Sequence, residues 1–341
     1  MISVAYIGCG AVVQRSHLPA LKLVDGLQPA AFVDRDQERL QLISDEYPNA
    51  ILTSNAEKGI QAAELVVIAT PSGSHYQLAV EALSAGKHVL VEKPLALTEK
   101  QSIEMVELAN SENRLLAVSL VRRLLSHNRL FKHLIDMRVV GQIQTVRVSE
   151  GSVFNWPVQS ADFYDPELSG GGVLLDNGAH LLDLVLWWLG DASLLSYFDD
   201  SQGGVEAECR LDMQTKDGAE LVVEMSRLRK LKNQIEVEGE KGMLKMDLAS
   251  GQITLSARGA EEVFRGGVHG SLSNQTTLDL FVRQYKGIVE AIGSQDQHSS
   301  NIVKGVDSVA SVSLIEQCYG CLLYTSPSPR DLSTSRMPSS A

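Results

Sequence analysis

The chain has 341 residues, of which 44% are hydrophobic and 21% charged, the composition of an ordinary soluble globular protein with room for roughly two domains. Its formal net charge of −12, with scattered charges and no basic block, argues against nucleic acid or an anionic membrane as the main partner. The longest apolar run, 181–189, is broken by Asp183 and falls short of the roughly 20 residues of a membrane span. The N-terminus has no basic segment or cleavage site of a signal peptide, so the expected compartment is the cytoplasm.

Residues 3–120 alternate apolar runs (4–7, 30–33, 65–69, 88–91, 115–120) with helical patterns near 13–24, 36–47, 74–85 and 98–112. Val-, Ile- and Leu-rich strands separated by helices imply a parallel sheet covered on both faces. The first strand runs into Gly8-Cys9-Gly10-Ala11-Val12 and opens a helix. Gly8 permits a tight turn, Gly10 lets a pyrophosphate approach the backbone, and the helix N-terminus supplies donors. Val13 stands where the third glycine of the G-x-G-x-x-G pattern would be, a position that governs helix packing more than phosphate contact.

Asp34 ends the second strand, where a carboxylate can accept both hydrogen bonds of an adenosine ribose diol and repel a 2′-phosphate. NAD is therefore expected over NADP, although Arg35 could stack on adenine or meet a 2′-phosphate. The plain alternative for Asp34 is a helix N-cap, and one side chain could hardly do both. Thr70, Pro71 and His75 follow the apolar run 65–69 and are expected on the cofactor's nicotinamide side, with Ser and Thr there also good helix caps.

The strand 88–91 delivers Glu92, Lys93 and Pro94. Open parallel sheets bind ligands at the carboxyl ends of their strands, so Lys93 is placed for chemistry and Glu92 beside it for the cofactor's side of the cleft. A surface lysine in a turn is the plain alternative. A cis Lys93–Pro94 bond is plausible because X–Pro bonds tolerate it. Thr98 followed by Gln101 suggests a capping box. Arg122 and Arg123 then stand after the last strand of this part. They are candidates for anionic substrate groups or for salt bridges between domains.

Beyond about residue 125 the pattern reads as a helix near 126–138, a strand near 143–153 and a polar loop, 155–172. Trp156 and Tyr164, with Asp162 and Asp165, are the loop's candidates for sugar contacts, although aromatic residues also simply pack. Gly170-Gly171-Gly172 leads into an apolar helix, 174–189. Asp176 and His180 are four apart and share one face of it. A buried carboxylate and imidazole must pair or line a cleft. Asp183 reads as structural, and no third ligand suggests a metal.

Strand-like runs at 193–199, 205–213, 218–227, 233–239, 243–247 and 252–257 are joined by tight turns, as in an antiparallel sheet. Helices near 276–293 and 303–319 close the pattern. Cys318 and Cys321 form a C-x-x-C without a second pair, which is discounted as a zinc or redox site. From residue 321 the sequence turns Ser- and Pro-rich. Residues 321–341 resemble a translated sequencing-adaptor read-through, a non-native tail that would replace the natural C-terminus.

Gly8-Cys9-Gly10, Asp34, Ala69-Thr70-Pro71, Glu92-Lys93-Pro94 and Gly171-Gly172-x3-Asp176-x3-His180 together resemble the family of glucose–fructose oxidoreductases, inositol dehydrogenases and rhizopine-catabolism dehydrogenases. The resemblance implies an α/β N-terminal Rossmann dinucleotide-binding domain, 1–122. It implies an α+β C-terminal domain, 123–320, with a large open, mostly antiparallel sheet that mediates homodimers or homotetramers. It also implies an NAD(P)-dependent oxidoreductase acting on a secondary alcohol of a small-molecule polyol, cyclitol or sugar. Lys93, Asp176 and His180 match the family's catalytic set. His180, ahead of Lys93, is expected to take the hydroxyl proton, with Asp176 orienting His180 or binding a substrate hydroxyl. Two other readings are a glycosidase using NAD transiently and a nucleotide-binding regulator without catalysis.

Overall fold

The computed structural model describes residues 1–154, 170–202, 204–259, 262–268, 275–294 and 299–321. The polar-loop residues Trp156, Asp162, Tyr164 and Asp165 and the segment 322–341 lie outside the described residues.

Six parallel strands form most of the first sheet: β1 (Ile2–Ile7), β2 (Leu27–Val33), β3 (Ile51–Thr53), β4 (Leu65–Ile68), β5 (His88–Val91) and β6 (Leu116–Val118). Their order is β6-β5-β4-β1-β2-β3, so the chain reverses its direction of travel between β1 and β4. That reversal opens a crevice at the carboxyl ends of the two strands, where dinucleotides bind in such sheets. All of β4 is fully buried, which is why it reads as an unbroken apolar run.

The helix after β1 begins as a π-helical turn, Val13–His17, and continues as α1 (Leu18–Leu21). Val13 is fully buried. It needs more room between helix and strand than glycine would, and the helix widens at that residue. The expected helix 13–24 is thus two short pieces. The helices α2 (Gln37–Ser44), α3 (Ala56–Gln61), α4 (His75–Ser84) and α5 (Glu99–Ser111) complete the two outer layers. The elements β3 and α3 escaped the sequence reading because they are short and Ile51 and Leu52 face solvent on the edge. Thr98 caps α5 by accepting from Gln101 N at 3.2 Å, while Gln101 reaches back to the Leu97 N–H at 3.3 Å, one residue beyond the usual box.

After α6 (Ser126–Asp136) comes a sheet of eight strands. It comprises β7 (Ile143–Gly151), β8 (Ala192–Asp199), β9 (Glu208–Thr215), β10 (Glu220–Ser226), β11 (Gln234–Gly239), β12 (Gly242–Asp247), β13 (Ile253–Ala257) and β14 (Glu262–Gly266). The order is β14-β13-β12-β11-β7-β10-β9-β8, with only β7 and β10 parallel. One face packs on α7 (Val173–Leu189), through Leu181, Val185 and Trp188 against Val146, Val148, Leu211 and Val223. The other face carries cross-strand ion pairs, Arg210 with Glu224 and Lys245 with Glu236.

The chain then returns to the first sheet. The helix α8 (Thr277–Ser294) buries Leu280, Phe281, Tyr285 and Ile288 among Tyr6, Phe32 and Leu90. The strand β15 (Val303–Lys304) pairs antiparallel with β6. The last helix, α9 (Gly305–Cys321), packs on α5 and α7 and carries the fully buried Cys318. Elements from the expected second domain, 123–320, therefore finish the core of the first.

No described helix is long and apolar enough to cross a membrane. The start of α7 is fixed from a distance. The buried Glu206 carboxylate accepts from Gly172 N at 2.9 Å and Leu174 N at 2.8 Å, and the Tyr319 hydroxyl donates to it at 2.8 Å. A Cβ on Gly172 would lie 2.0 Å from the Glu206 carbonyl oxygen. Gly172→Ala is accordingly expected to cost about 1–3 kcal/mol, measured by denaturant unfolding, and an unchanged midpoint would contradict this close packing.

Candidate active site

At the switch point Gly8 has φ of +87°, and a Cβ there would sit 2.5 Å from the Ala69 carbonyl oxygen. Only glycine allows the ends of β1 and β4 to meet this closely while the chain turns into the helix. Gly8, Gly10, Ala11 and Val12 are partly exposed at this strand end, as a phosphate-binding loop requires. The Asp34 carboxylate accepts from Cys9 N at 2.7 Å and from Asp36 N at 2.9 Å. It is tied to the glycine loop rather than capping α2, whose N-cap is Asp36. Arg39, which the sequence reading did not single out, approaches Asp34 at 3.6 Å, whereas Arg35 is exposed. These features fit a dinucleotide with its adenosine ribose beside Asp34.

Thr70 and Pro71 stand at the rim, with Ser74 Oγ donating to Thr70 Oγ1 at 2.7 Å. His75, expected on the cofactor side, is instead 1% exposed. Its ring nitrogens lie 2.8 Å from the Pro94 carbonyl oxygen and 2.9 Å from that of Thr70. Burial holds the ring below the ordinary histidine pKa. It braces the two loops that flank the crevice and has no free nitrogen to offer a cofactor.

Glu92, Lys93 and Pro94 leave the carboxyl end of β5, and the Lys93–Pro94 bond is cis. Glu92 points into the core, correcting its expected place on the cofactor's side. Its carboxylate lies 2.9 Å from His17 Nε2, and His17 Nδ1 lies 2.7 Å from the Tyr285 hydroxyl, itself 3.1 Å from that of Tyr6. Burial alone would raise the Glu92 carboxyl, but His17 and Lys93 outweigh it and hold it below the ordinary value. The π turn carries His17 into this chain. Glu92 thereby anchors the strand end, so that its neighbour Lys93 projects the other way.

The Lys93 ammonium crosses to α7. It donates to an Asp176 carboxylate oxygen and, at 2.9 Å, to the Asp176 carbonyl oxygen. The other carboxylate oxygen accepts from Arg227 Nη2 at 2.6 Å. Burial would raise the Asp176 carboxyl, but these two cations hold it below the ordinary aspartate range. The expectation that Asp176 orients His180 is therefore corrected. Two cations outcompete a neutral imidazole for the carboxylate. Arg227, at the end of β10 and resting on Phe154 at 5.0 Å, lies in no sequence motif and was missed.

His180 sits one turn beyond Asp176 on the same face, partly exposed, and its Nδ1 has no hydrogen-bond partner among the described residues. Burial, with the nearby Arg122 and Lys93 charges, pushes its pKa well below 6.5, so the ring is neutral at physiological pH. Of the two readings of Arg123, substrate contact or a salt bridge, the structure shows the salt bridge. Its Nε and Nη2 donate to the two oxygens of buried Asp183 at 2.8 and 2.6 Å, and its guanidinium lies over Trp187. The turn Val121–Leu124 points the two arginines apart, and Arg122 instead donates to both oxygens of Glu150 at 3.0 and 2.8 Å. Among the described residues no cluster of His, Cys, Asp and Glu could hold a metal ion.

Residues 2–120 match the model of the oxidoreductase family with an NAD-binding Rossmann fold, and residues 128–245 match the GFO/IDH/MocA C-terminal domain. The chain is 26% identical over 266 residues to Oxidoreductase P35 of Formosa agariphila, covering 76% of this chain and 83% of that protein. It is 30% identical over 194 residues to D-glucoside 3-dehydrogenase of Escherichia coli, covering 55% of this chain and only 54% of that enzyme. The fold superimposes with a TM-score of 0.78 on a 3-ketoreductase from Actinomadura kijaniata in complex with NADP and TDP-benzene, at 22% identity, covering 94% of this chain and 97% of that one. With both halves matched and the switch-point crevice facing α7, the chain belongs to the Gfo/Idh/MocA family of NAD(P)-binding oxidoreductases.

Proposed function

We propose that the protein transfers a hydride between a secondary alcohol of a sugar, cyclitol or sugar derivative and a nicotinamide cofactor. The observation that carries this reading is the Lys93 ammonium at the end of β5, joined across the crevice to Asp176, one turn from a neutral His180. When bound, the nicotinamide supplies the hydride acceptor, or the donor in the reverse direction.

The loop Gly8–Val12 would take the pyrophosphate, and Asp34 the adenosine ribose diol. A carboxylate at that position repels a 2′-phosphate, which favours NAD over NADP. Thr70 and Pro71 would flank the nicotinamide side. Lys93 would hydrogen-bond the reacting oxygen and stabilise charge as the proton leaves. His180, unprotonated at neutral pH, would accept that proton on a ring nitrogen. Asp176, shared by Lys93 and Arg227, fixes where the ammonium stands. A second copy of the chain against the outward face of the eight-stranded sheet, giving a homodimer or homotetramer, is part of the same proposal.

Two outcomes test it. Lys93→Ala is expected to keep NADH binding, read by fluorescence titration, and to lose about 10²–10⁴-fold in turnover, read by reduced-cofactor absorbance over a panel of sugars and cyclitols. Full turnover in that variant would sink the assignment.

The second outcome concerns pH. An unfolded chain protonates His180 near 6.5, and the folded protein only at lower pH. This group's contribution to stability is thus complete above pH 6.5 and is lost as pH falls below it. The acid limb of kcat should likewise lie below pH 6.5 and disappear in His180→Asn. An acid limb that survives the substitution unchanged would exclude His180 as the base.

A further inference from the structure

A cavity of about 210 Å³ lies beside the proposed catalytic groups. It shares α7 with them. Asn177, next to Asp176, and Leu184, one turn beyond His180, form one wall. Glu150 and Ser152, at the end of β7, and Arg122, just after β6, form another. Resting on the reading under Proposed function, we infer that this cavity binds an uncharged, polyhydroxylated ring of the substrate and rejects a ring bearing phosphate or carboxylate.

Charge is the first argument. Among the described residues, Arg122 and Glu150 are the two charged residues lining the cavity, and they are already paired through both carboxylate oxygens. An entering anion would have to displace Glu150 from Arg122 and then stand beside a carboxylate. Like-charge juxtaposition of this kind suppresses wrong partners.

The second argument is hydrogen bonding. The other polar lining comes from the amides of Asn128, Asn177 and Asn233 and from Ser152, which offer donors and acceptors together. Sugar hydroxyls have the same dual character. Asn128 is 2% exposed. Its Nδ2 donates to the Arg122 carbonyl oxygen at 2.8 Å, while its Oδ1 is buried without a partner among the described residues. Asn233 is fixed by accepting from Gly151 N at 2.6 Å. Leu184 and Leu248 give the apolar surface that the C–H face of a ring needs.

Size is the third. About 210 Å³ is below the roughly 300–1,000 Å³ of sites for drug-sized ligands, which suits one ring and not a nucleotide.

The test is calorimetric binding to the NADH-loaded protein of D-glucose, D-galactose, myo-inositol, D-glucose 6-phosphate and D-glucuronate, with turnover measured separately. At least one uncharged ligand should bind about tenfold or more tighter than both anions. Asn177→Leu, which replaces an amide on the wall by an apolar side chain of similar length, should abolish that advantage. Glu150→Gln is isosteric and still accepts from Arg122. It should narrow or reverse the ratio, and it keeps the test decisive if the leucine variant fails to fold. Equal or tighter binding of the phosphorylated or carboxylated sugar would overturn the inference. So would discrimination unchanged in both variants, or no binding by any ligand. Discrimination without turnover would count against the oxidoreductase reading alone. Turnover of a sugar phosphate that is insensitive to both variants would count against the cavity alone.

Discussion

The site depends on one contact across the crevice, the Lys93 ammonium on the Asp176 carboxylate. Each group alone would be unfavourable at its depth. A half-buried ammonium at a strand end and a carboxylate on an apolar helix both lose hydration, and each is tolerated because the other is there. Arg227 completes the set by taking the second carboxylate oxygen. The contact also joins the two halves of the fold, since Lys93 leaves the parallel sheet and Asp176 rides on the helix packed against the eight-stranded one.

Much of the remaining structure fixes the two ends of that contact. On one side, Glu92 is held by His17 and Tyr285, and the Pro94 carbonyl lies against His75, so the strand end that bears Lys93 is braced before and after it. On the other, Glu206 and Tyr319 fix the first turn of α7 through the Gly172 backbone, which sets the height of Asp176. Asp183, further along α7, is locked to Arg123. The helix therefore presents Asp176, Asn177 and His180 from a rigid support, which positions catalytic groups more precisely than a mobile loop could.

Legibility in the sequence followed sequence distance. The glycine loop, the lysine at the end of β5 and the Asp176–His180 face are local patterns, and apolar runs marked most strands. What could not be read involves partners far apart. Arg227 is 51 residues from Asp176 and Glu206 is 34 from Gly172. Tyr285 is 268 residues from His17 and belongs to a helix that returns to the first sheet. Adjacent Arg122 and Arg123 are indistinguishable by type, and only the turn that holds them decides which faces the cavity. Asp34 and Asp36 likewise divided two roles that sequence could not separate, loop anchor and helix cap.

The central claim is that Lys93 and Asp176 act as one unit. A double-mutant cycle tests it most directly, with Lys93→Met, Asp176→Asn and the combined variant compared by denaturant unfolding. The account predicts a coupling free energy of about 0.5–3 kcal/mol, because once either substitution has removed the contact between the ammonium and the carboxylate the other has no such contact left to remove. Additive losses would mean that the two residues contribute independently, and would contradict it.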